Sequence, residues 1–514
     1  DADLAALPAA TLEQADRLAA ARPAIRVTAW SARAPVPTAY LPMCTVRFFS
    51  RASLLHARCD CASGSGCAHV VLAVRAYRQA GALQPGQDAT VELVPAAGEG
   101  APPARIFDAD TPSPLPELDA LLLQLWLDGS SQPPLALEAR FEALRARCLE
   151  ADWCWMVDAV DELEQLLAAQ HQRASSFDPM RLLQTMAELP ARLLAARQAE
   201  RLAARGETPP LPAGTILGVG VAGEVALDHL RLVSLGAQCW QGDDAQGVRI
   251  AFADPDSQGV TVLDRSWPVE AGQVPGPVMA RRVAGHALRR LACGQVVTRG
   301  ARRRANGRIE IASGVRQTSL LPLGPRSWDA LDVPLRQPSA RALAAHLSQA
   351  HPDFVRPRQA IEHLHVLPVA RVLDQGWDGA AQVLHARLAT AGDDDIVHLA
   401  LQHRPAAPGA VDAMAGALAG LWGEPTVVAG LARIESGRLM MQPLSFLTRQ
   451  RAVVLEADQV ATQPLALREE AGARAPLDLA VQQTFDLLAS WLRLGLRHQG
   501  GGSTARGAAQ ADAL

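Results

Sequence analysis

The segment CDCASGSGCAHVVLAV, residues 59–74, limits the folds open to this chain more than any other stretch. Its spacing is C-x-C-x5-C-x-H. In a β-strand, residues i and i+2 share a face, so Cys59 and Cys61 project side by side from a strand end. In a helix, two positions lie about 200° apart around the axis. Cys67 and His69 therefore converge only if Cys67 sits in the turn before a helix and His69 in its first turn. Gly64 and Gly66 supply the tight loop, and regular helical apolar spacing starts at Val70. Three thiolates and one imidazole form a closed tetrahedral set with no open position for water. Such a set suits a single structural Zn2+ better than a catalytic one. Two other readings stand beside it: three buried cysteines with a surface histidine, and a redox C-x-C pair.

Composition sets the wider frame. A length of 514 residues suggests roughly three domains. Hydrophobic residues make up 49%, enough for ordinary cores. No apolar run reaches the ~18 residues of a membrane span, so no membrane association is expected. The first residues, DADLAALPAATLEQADRL, are acidic, with no basic region ahead of an apolar stretch, so no secretory signal is expected. They lack an initiator Met, as in a processed chain, and the Gly-Ser-Ala tail reads as a natural end. The cytoplasm is the expected compartment. Net charge is −4, so no global field steers the chain to nucleic acid. All 49 basic residues are arginine, as the codon usage of a GC-rich bacterial genome would produce. Without lysine there is no phosphate-binding P-loop, no Schiff-base chemistry and no lysine-dependent nuclease. Of the eight cysteines, only Cys59, Cys61 and Cys67, with Cys44 upstream, form a cluster. The remainder do not look like a disulfide framework.

The expected fold class is α+β and multidomain. Residues 1–95 read as a small ββα zinc-finger domain, with a helix over 11–22 capped by Thr11, strands in AIRVTAW, CTVRFFS and SLLHARCDC, and a helix from Ala68 that ends near Gly81. Residues 96–115 read as a Pro-, Gly- and Ala-rich linker. Residues 116–205 read as a helical domain. Residues 213–330 read as a β-rich domain and 335–498 as a mixed α/β domain ending in an amphipathic helix. Residues 499–514 read as a disordered tail. No fixed-period repeat is present.

The cysteine cluster and its strand–strand–helix context, within residues 40–80, resemble the SWIM-type zinc finger: C-x-C, a short variable loop, then C-x-H opening a helix. The resemblance implies a zinc-binding module for DNA or protein contacts, with Cys59, Cys61, Cys67 and His69 as ligands. SWIM fingers occur in bacterial proteins, Swi/Snf-type ATPases and transposase-related proteins. Ala68 stands where many members carry a basic residue, which shifts the expectation away from DNA contact by the finger itself. The remainder is faintly similar to long bacterial SWIM-finger proteins.

A second feature is the acid-free stretch from Ala271 to Ile309, which carries Arg281, Arg282, Arg289, Arg290, Arg299, Arg302, Arg303, Arg304 and Arg308. Such a patch can neutralise phosphates and bind nucleic acid without sequence preference. A solvated basic face docked on acidic segments is the competing reading. No aromatic residue interleaves the stretch, so base stacking is not expected from it. Two weaker groups are His363 with His365 on one strand, and Asp393, Asp395 and His398 in DDDIVH. No nucleophile-elbow, zincin or dinucleotide motif is present.

The sequence therefore points to a zinc-binding, non-catalytic interaction protein. Its partners would be a protein, a nucleic acid, or both, and any ATPase partner would be another polypeptide or a separate motor domain. The alternatives are a metal-dependent hydrolase or nuclease built on the two weaker groups, and the regulatory part of a Swi/Snf-type ATPase system.

Overall fold

The computed structural model describes residues 2–30, 36–50, 52–83, 86–93, 106–107, 114–270, 276–312, 317–458, 460–467 and 476–499. Most of the expected linker 96–115, and all but residue 499 of the expected tail, lie outside these residues. The chain is α+β and multidomain, with a small N-terminal β-rich region, a helical bundle and several β-sheets.

The N-terminal region is an antiparallel five-stranded sheet. Its spatial order is Ala57–Cys59, Thr45–Phe48, Thr38–Tyr40, Ala24–Val27 and Ala89–Glu92. The helix Ala68–Leu83 packs on one face of the sheet, with the helix Ala9–Ala20 beside it. Thr11 is not a cap, because that helix already starts at Ala9 behind Pro8. Gly81 is not a stop either, because the helix Ala68–Leu83 runs past it. This helix buries Val70, Val71, Leu72, Ala73, Ala76 and Ala80, while Val74 and Tyr77 are only half-buried. The alanines let its backbone approach the sheet closely, and the larger residues fill the edges of the contact.

Leu115–Asp128, Leu135–Glu150, Cys154–His171 and Pro179–Ala204 form the bundle around Leu121, Leu144, Trp153, Met156 and Leu189. Asp178 caps the last of these by accepting from the Met180 amide at 2.9 Å. The amphipathic helix Pro476–Leu494, expected within the region 335–498, packs on this bundle instead, and Leu492 is part of the bundle core. Ser130 and Ser131 donate backbone amides to the Leu492 and Arg493 carbonyls. Gly129 and Gly495, both at positive φ, meet there. A Cβ on Gly495 would lie 2.4 Å from the Asp128 carbonyl carbon.

The β-rich region holds a five-stranded antiparallel sheet in the order Thr318–Pro322, Gly294–Thr298, Leu230–Gln241, Ala245–Asp254, Gly259–Pro268. A three-stranded sheet lies beside it, in the order Ile309–Ile311, Ala301–Arg304, Glu224–Leu227. The C-terminal sheet runs Leu364–Pro368, Pro425–Glu435, Arg438–Thr448, Ile396–Gln402, Val383–Ala389, Arg371–Asp378. One parallel pairing, Ile396–Gln402 with Arg438–Thr448, interrupts its antiparallel order. The two larger sheets share a core. Trp328 is fully buried there and donates to the Ser234 carbonyl, and Ser445 donates to the Leu235 carbonyl. A bulge at Gly236 brings that strand against Leu444, where any Cβ would clash.

Bundle and C-terminal region are joined by a buried ion network. Arg192 is fully buried and pairs with Glu188 at 2.7 Å. Arg358 reaches both Glu188 and Glu162, and Arg181 closes on Glu162. Arg192 also donates to the Ile216, Arg356 and Asp353 carbonyls, so its charge is well hydrogen-bonded.

Candidate metal centre

Strand pairing places the first half of the centre. Ala57–Cys59 pairs with Thr45–Phe48, with Cys59 opposite Val46. Cys59 and Cys61 both face inward, while Arg58, just before Cys59, faces solvent and Asp60, between the two cysteines, is half-buried. The chain then turns through Ser63–Ser65, where the Gly64 amide donates to Cys61 and the Cys59 amide to Gly64. Gly64 and Gly66 take positive φ, which this hairpin requires. Cys67 sits just before the helix Ala68–Leu83, and its carbonyl accepts from the Val70 and Val71 amides. His69 lies in the first turn. The two halves thus come from a strand end and a helix start, as the spacing requires.

The Cys59, Cys61 and Cys67 sulfurs and a nitrogen of His69 all lie within 4.8 Å of one another, a group able to hold a metal ion. His69 Nδ1 is 3.8 Å from both the Cys59 and the Cys67 sulfur. In a tetrahedral zinc site, bonds of about 2.3 Å to sulfur and 2.0–2.1 Å to nitrogen put neighbouring ligand atoms about 3.6–3.8 Å apart. The side chains are already close to that spacing. Hydrogen bonds from Cys59, then Cys67, push the Cys61 thiol down. Those with Cys44 and Cys61 push Cys59 up, and those with Cys59 and Cys61 push Cys67 up. Burial lowers the His69 imidazole, but its bonds to Cys61 and Cys67 outweigh that and carry it up to about 9. Protons alone leave the cluster with one favoured thiolate. A divalent cation lets all three sulfurs ionise together.

Cys44, Cys59 and Asp60 form a second close group. Asp60 is already engaged. One carboxylate oxygen accepts from the Thr45 amide at 2.9 Å, and the other pairs with Arg303 at 2.8 Å. Cys44 is fully buried, and burial pushes its thiol up. It stands behind Cys59 as a neutral neighbour.

The centre is also the seam to the β-rich region. Cys61 bridges to Leu227, the Ala62 amide donates to Ala226, and the Asp228 amide donates to Asp60. Arg303, on the far side of the strand Glu224–Leu227, sends its guanidinium to the Met43 carbonyl at 2.9 and 2.6 Å as well as to Asp60. Sequence separation hid this contact. Its only signal was alternation, since Ala301 and Arg303 face inward and Arg302 and Arg304 outward.

The nine arginines have separate local surroundings. Arg281 lies over the Trp267 ring, and Arg282 bonds the Gly285 carbonyl. Arg289 and Arg290 lie within the short helix Leu288–Ala292, the former 3.7 Å from Asp458. Arg299 is exposed at a turn. Arg302 pairs with Glu224 at 2.8 Å and Arg303 is turned inward. Arg304 and Arg308 lie across a hairpin turn from each other. Asp393 pairs with Arg371. Asp395 is buried, accepting from Thr390 and from the Arg341 amide at the start of Ala340–Gln349. His363, at positive φ, binds Asp353, while His365 is buried beside His346 and the Pro334 carbonyl. Among the described residues these groups do not gather into a metal-ligand cluster.

Two family models match parts of the chain: the YehQ four-helical bundle domain over residues 112–218 and the YehQ C-terminal OB-fold domain over 361–476. The Escherichia coli (strain K12) protein YehQ is 36% identical over 471 residues, covering 90% of this chain and 75% of the relative. The chain belongs to the YehQ family. The first YehQ module spans the bundle helices, and the second spans the C-terminal sheet around Pro425–Thr448. A solved chain described as "Structural mimicry for functional antagonism" aligns with 42% of this chain and 90% of its own. It does so at 7% identity and a TM-score of 0.19, too low to bear on the fold. No helix among the described residues is long and apolar enough to cross a membrane.

Proposed function

We propose that this YehQ-family chain is a zinc-dependent, non-catalytic interaction protein. Its N-terminal module is a SWIM-type finger held by one structural Zn2+ on Cys59, Cys61, Cys67 and His69. The observation that carries this reading is the approach of these four ligand atoms to within 4.8 Å of one another, from two elements joined by a glycine hairpin. The set is closed, which suits holding shape rather than activating water. The finger presents its outer surface to a protein or nucleic-acid partner, in the cytoplasm. The lack of lysine leaves any coupled ATPase to another polypeptide or a separate motor domain.

Metal analysis of the purified full chain and of Cys59→Ser tests the site. One zinc per wild-type chain and a strong loss in the variant are expected. Wild type with far less than one zinc would sink the finger reading. Affinity purification with and without the four ligands then reports the partner. A partner set unchanged by their loss refutes the finger as the contact surface.

A further inference from the structure

We infer that a cavity between the helical bundle and the five-stranded sheet is a binding site for a free nucleotide, with the base on Trp240 and the phosphates between Arg304 and Arg308. The cavity measures about 860 Å³, within the usual range for small-molecule sites. Its floor is one face of three strands, on which Gln238, Arg249 and Asp264 stand in register, as do Trp240, Gly247 and Ser266. A Cβ on Gly247 would lie 2.5 Å from the Trp240 ring, so only glycine there lets the indole lie down across the neighbouring strand. The ring is half-buried and lines the cavity as a fixed platform. The opposite wall is the helix Cys154–His171, which offers Leu166, Ala168 and Ala169 together with Glu162 and Gln165.

The lining holds six arginines against Glu162, Asp178, Asp264 and Glu310. Arg181, Arg249 and Arg265 pair with Glu162, Asp264 and Glu310, and Arg404 pairs with Glu456, which leaves Arg304 and Arg308 as the lining cations without a close carboxylate among the described residues. The Arg304 amide donates to the Arg308 carbonyl at 2.9 Å, and the Arg304 carbonyl accepts from Gly307 to close the turn. The two arginines are thus directly opposite in a hairpin, where like charges repel unless something lies between them. Arg304 makes no ion pair among the described residues. Arg308 reaches Asp264 only at 4.0 Å, and its Nε is buried with no partner. Two guanidinium groups with spare donors, above an aromatic floor, match a phosphate joined to a planar base. With no lysine in the chain, the site has no P-loop, and the expected event is binding without turnover.

The test is calorimetric titration of the full zinc-loaded chain with ATP and, separately, with inorganic triphosphate. ATP should bind saturably. Arg304→Gln with Arg308→Gln should weaken it by about tenfold or more. Trp240→Leu should weaken ATP by about tenfold and leave triphosphate unchanged. Circular dichroism and zinc content matching wild type show that each variant is folded. No saturable ATP binding, wild-type affinity in the double arginine variant, or triphosphate binding as tightly as ATP would each overturn the assignment. The outcome is independent of the partner and identity of the finger.

Discussion

Replacing Arg303 with Ala tests whether the metal module and the β-rich region form one structural unit. Arg303 makes two bonds to the Met43 carbonyl and one to Asp60, and only about a tenth of its side chain is exposed. The substitution strands the Asp60 carboxylate, which is 16% exposed and has only the Thr45 amide left as a close partner on that side. Breaking a buried pair by removing one partner costs about 3–5 kcal/mol, because the remaining charge is left without compensation. Removing both partners, as Asp60→Asn with Arg303→Met, should cost clearly less than the sum of the single changes. Urea unfolding of the full chain, followed by tryptophan fluorescence and by zinc release to a chromogenic chelator, reads both consequences. Arg303→Ala should lower the first transition and speed zinc release, since the bridge from Cys61 to Leu227 ties the metal site to the strand Glu224–Leu227, which pairs with the arginine strand. Unchanged unfolding and unchanged zinc release in Arg303→Ala would refute the argument.

Three further outcomes follow from the same geometry. Cys67→Ser should lose zinc and hydrogen-exchange protection over residues 57–69, while bundle amides keep theirs; equal loss across the chain would contradict a local role. Gly495→Ala should cost roughly 1–3 kcal/mol or more, because φ is positive and the new Cβ meets backbone at 2.4 Å, and limited trypsin digestion should cut the Arg493–Arg497 segment sooner. Burial, then the charge of His346, pushes His365 down to about 4 from an ordinary value near 6.5. Between those two values the unfolded chain holds the extra proton. Its stabilising contribution is therefore full above about pH 6.5 and is lost as pH falls toward 4. Wild type should lose about 2 kcal/mol from this group between pH 7 and pH 5, and His365→Gln should remove that part of the slope in urea titrations at the two pH values.

The centre was legible because its information is local. Spacing alone put Cys59 with Cys61 and Cys67 before His69, since strand and helix periods leave few alternatives. The sheet was less legible. Thr38–Tyr40 and Ala89–Glu92 are short, and their pairing is decided by neighbours rather than by their own pattern. The helix Pro476–Leu494 was plain as a helix, but nothing in its sequence says that its apolar side seeks a bundle formed much earlier in the chain. The arginine stretch has surroundings that its sequence does not show. It is acid-free in sequence, but Glu224, Asp60, Asp264 and Asp458 reach it in space, and strand alternation turns Arg303 away from its neighbours. The second YehQ module offered only mixed short runs, because its strands pair across long separations.

The contact of Pro476–Leu494 with the bundle also sets an order of events in the cell. The bundle helices are complete at Ala204, but Leu492, with Leu488 and Ala489 beside it, joins their core only after the whole β-rich region. At ordinary ribosomal speeds of about 5–20 residues per second, that gap lasts on the order of tens of seconds. Throughout that interval the place of Leu492 in the bundle core stays unfilled. The protein therefore depends on being kept from aggregation during synthesis more than a chain whose neighbours in space are neighbours in sequence.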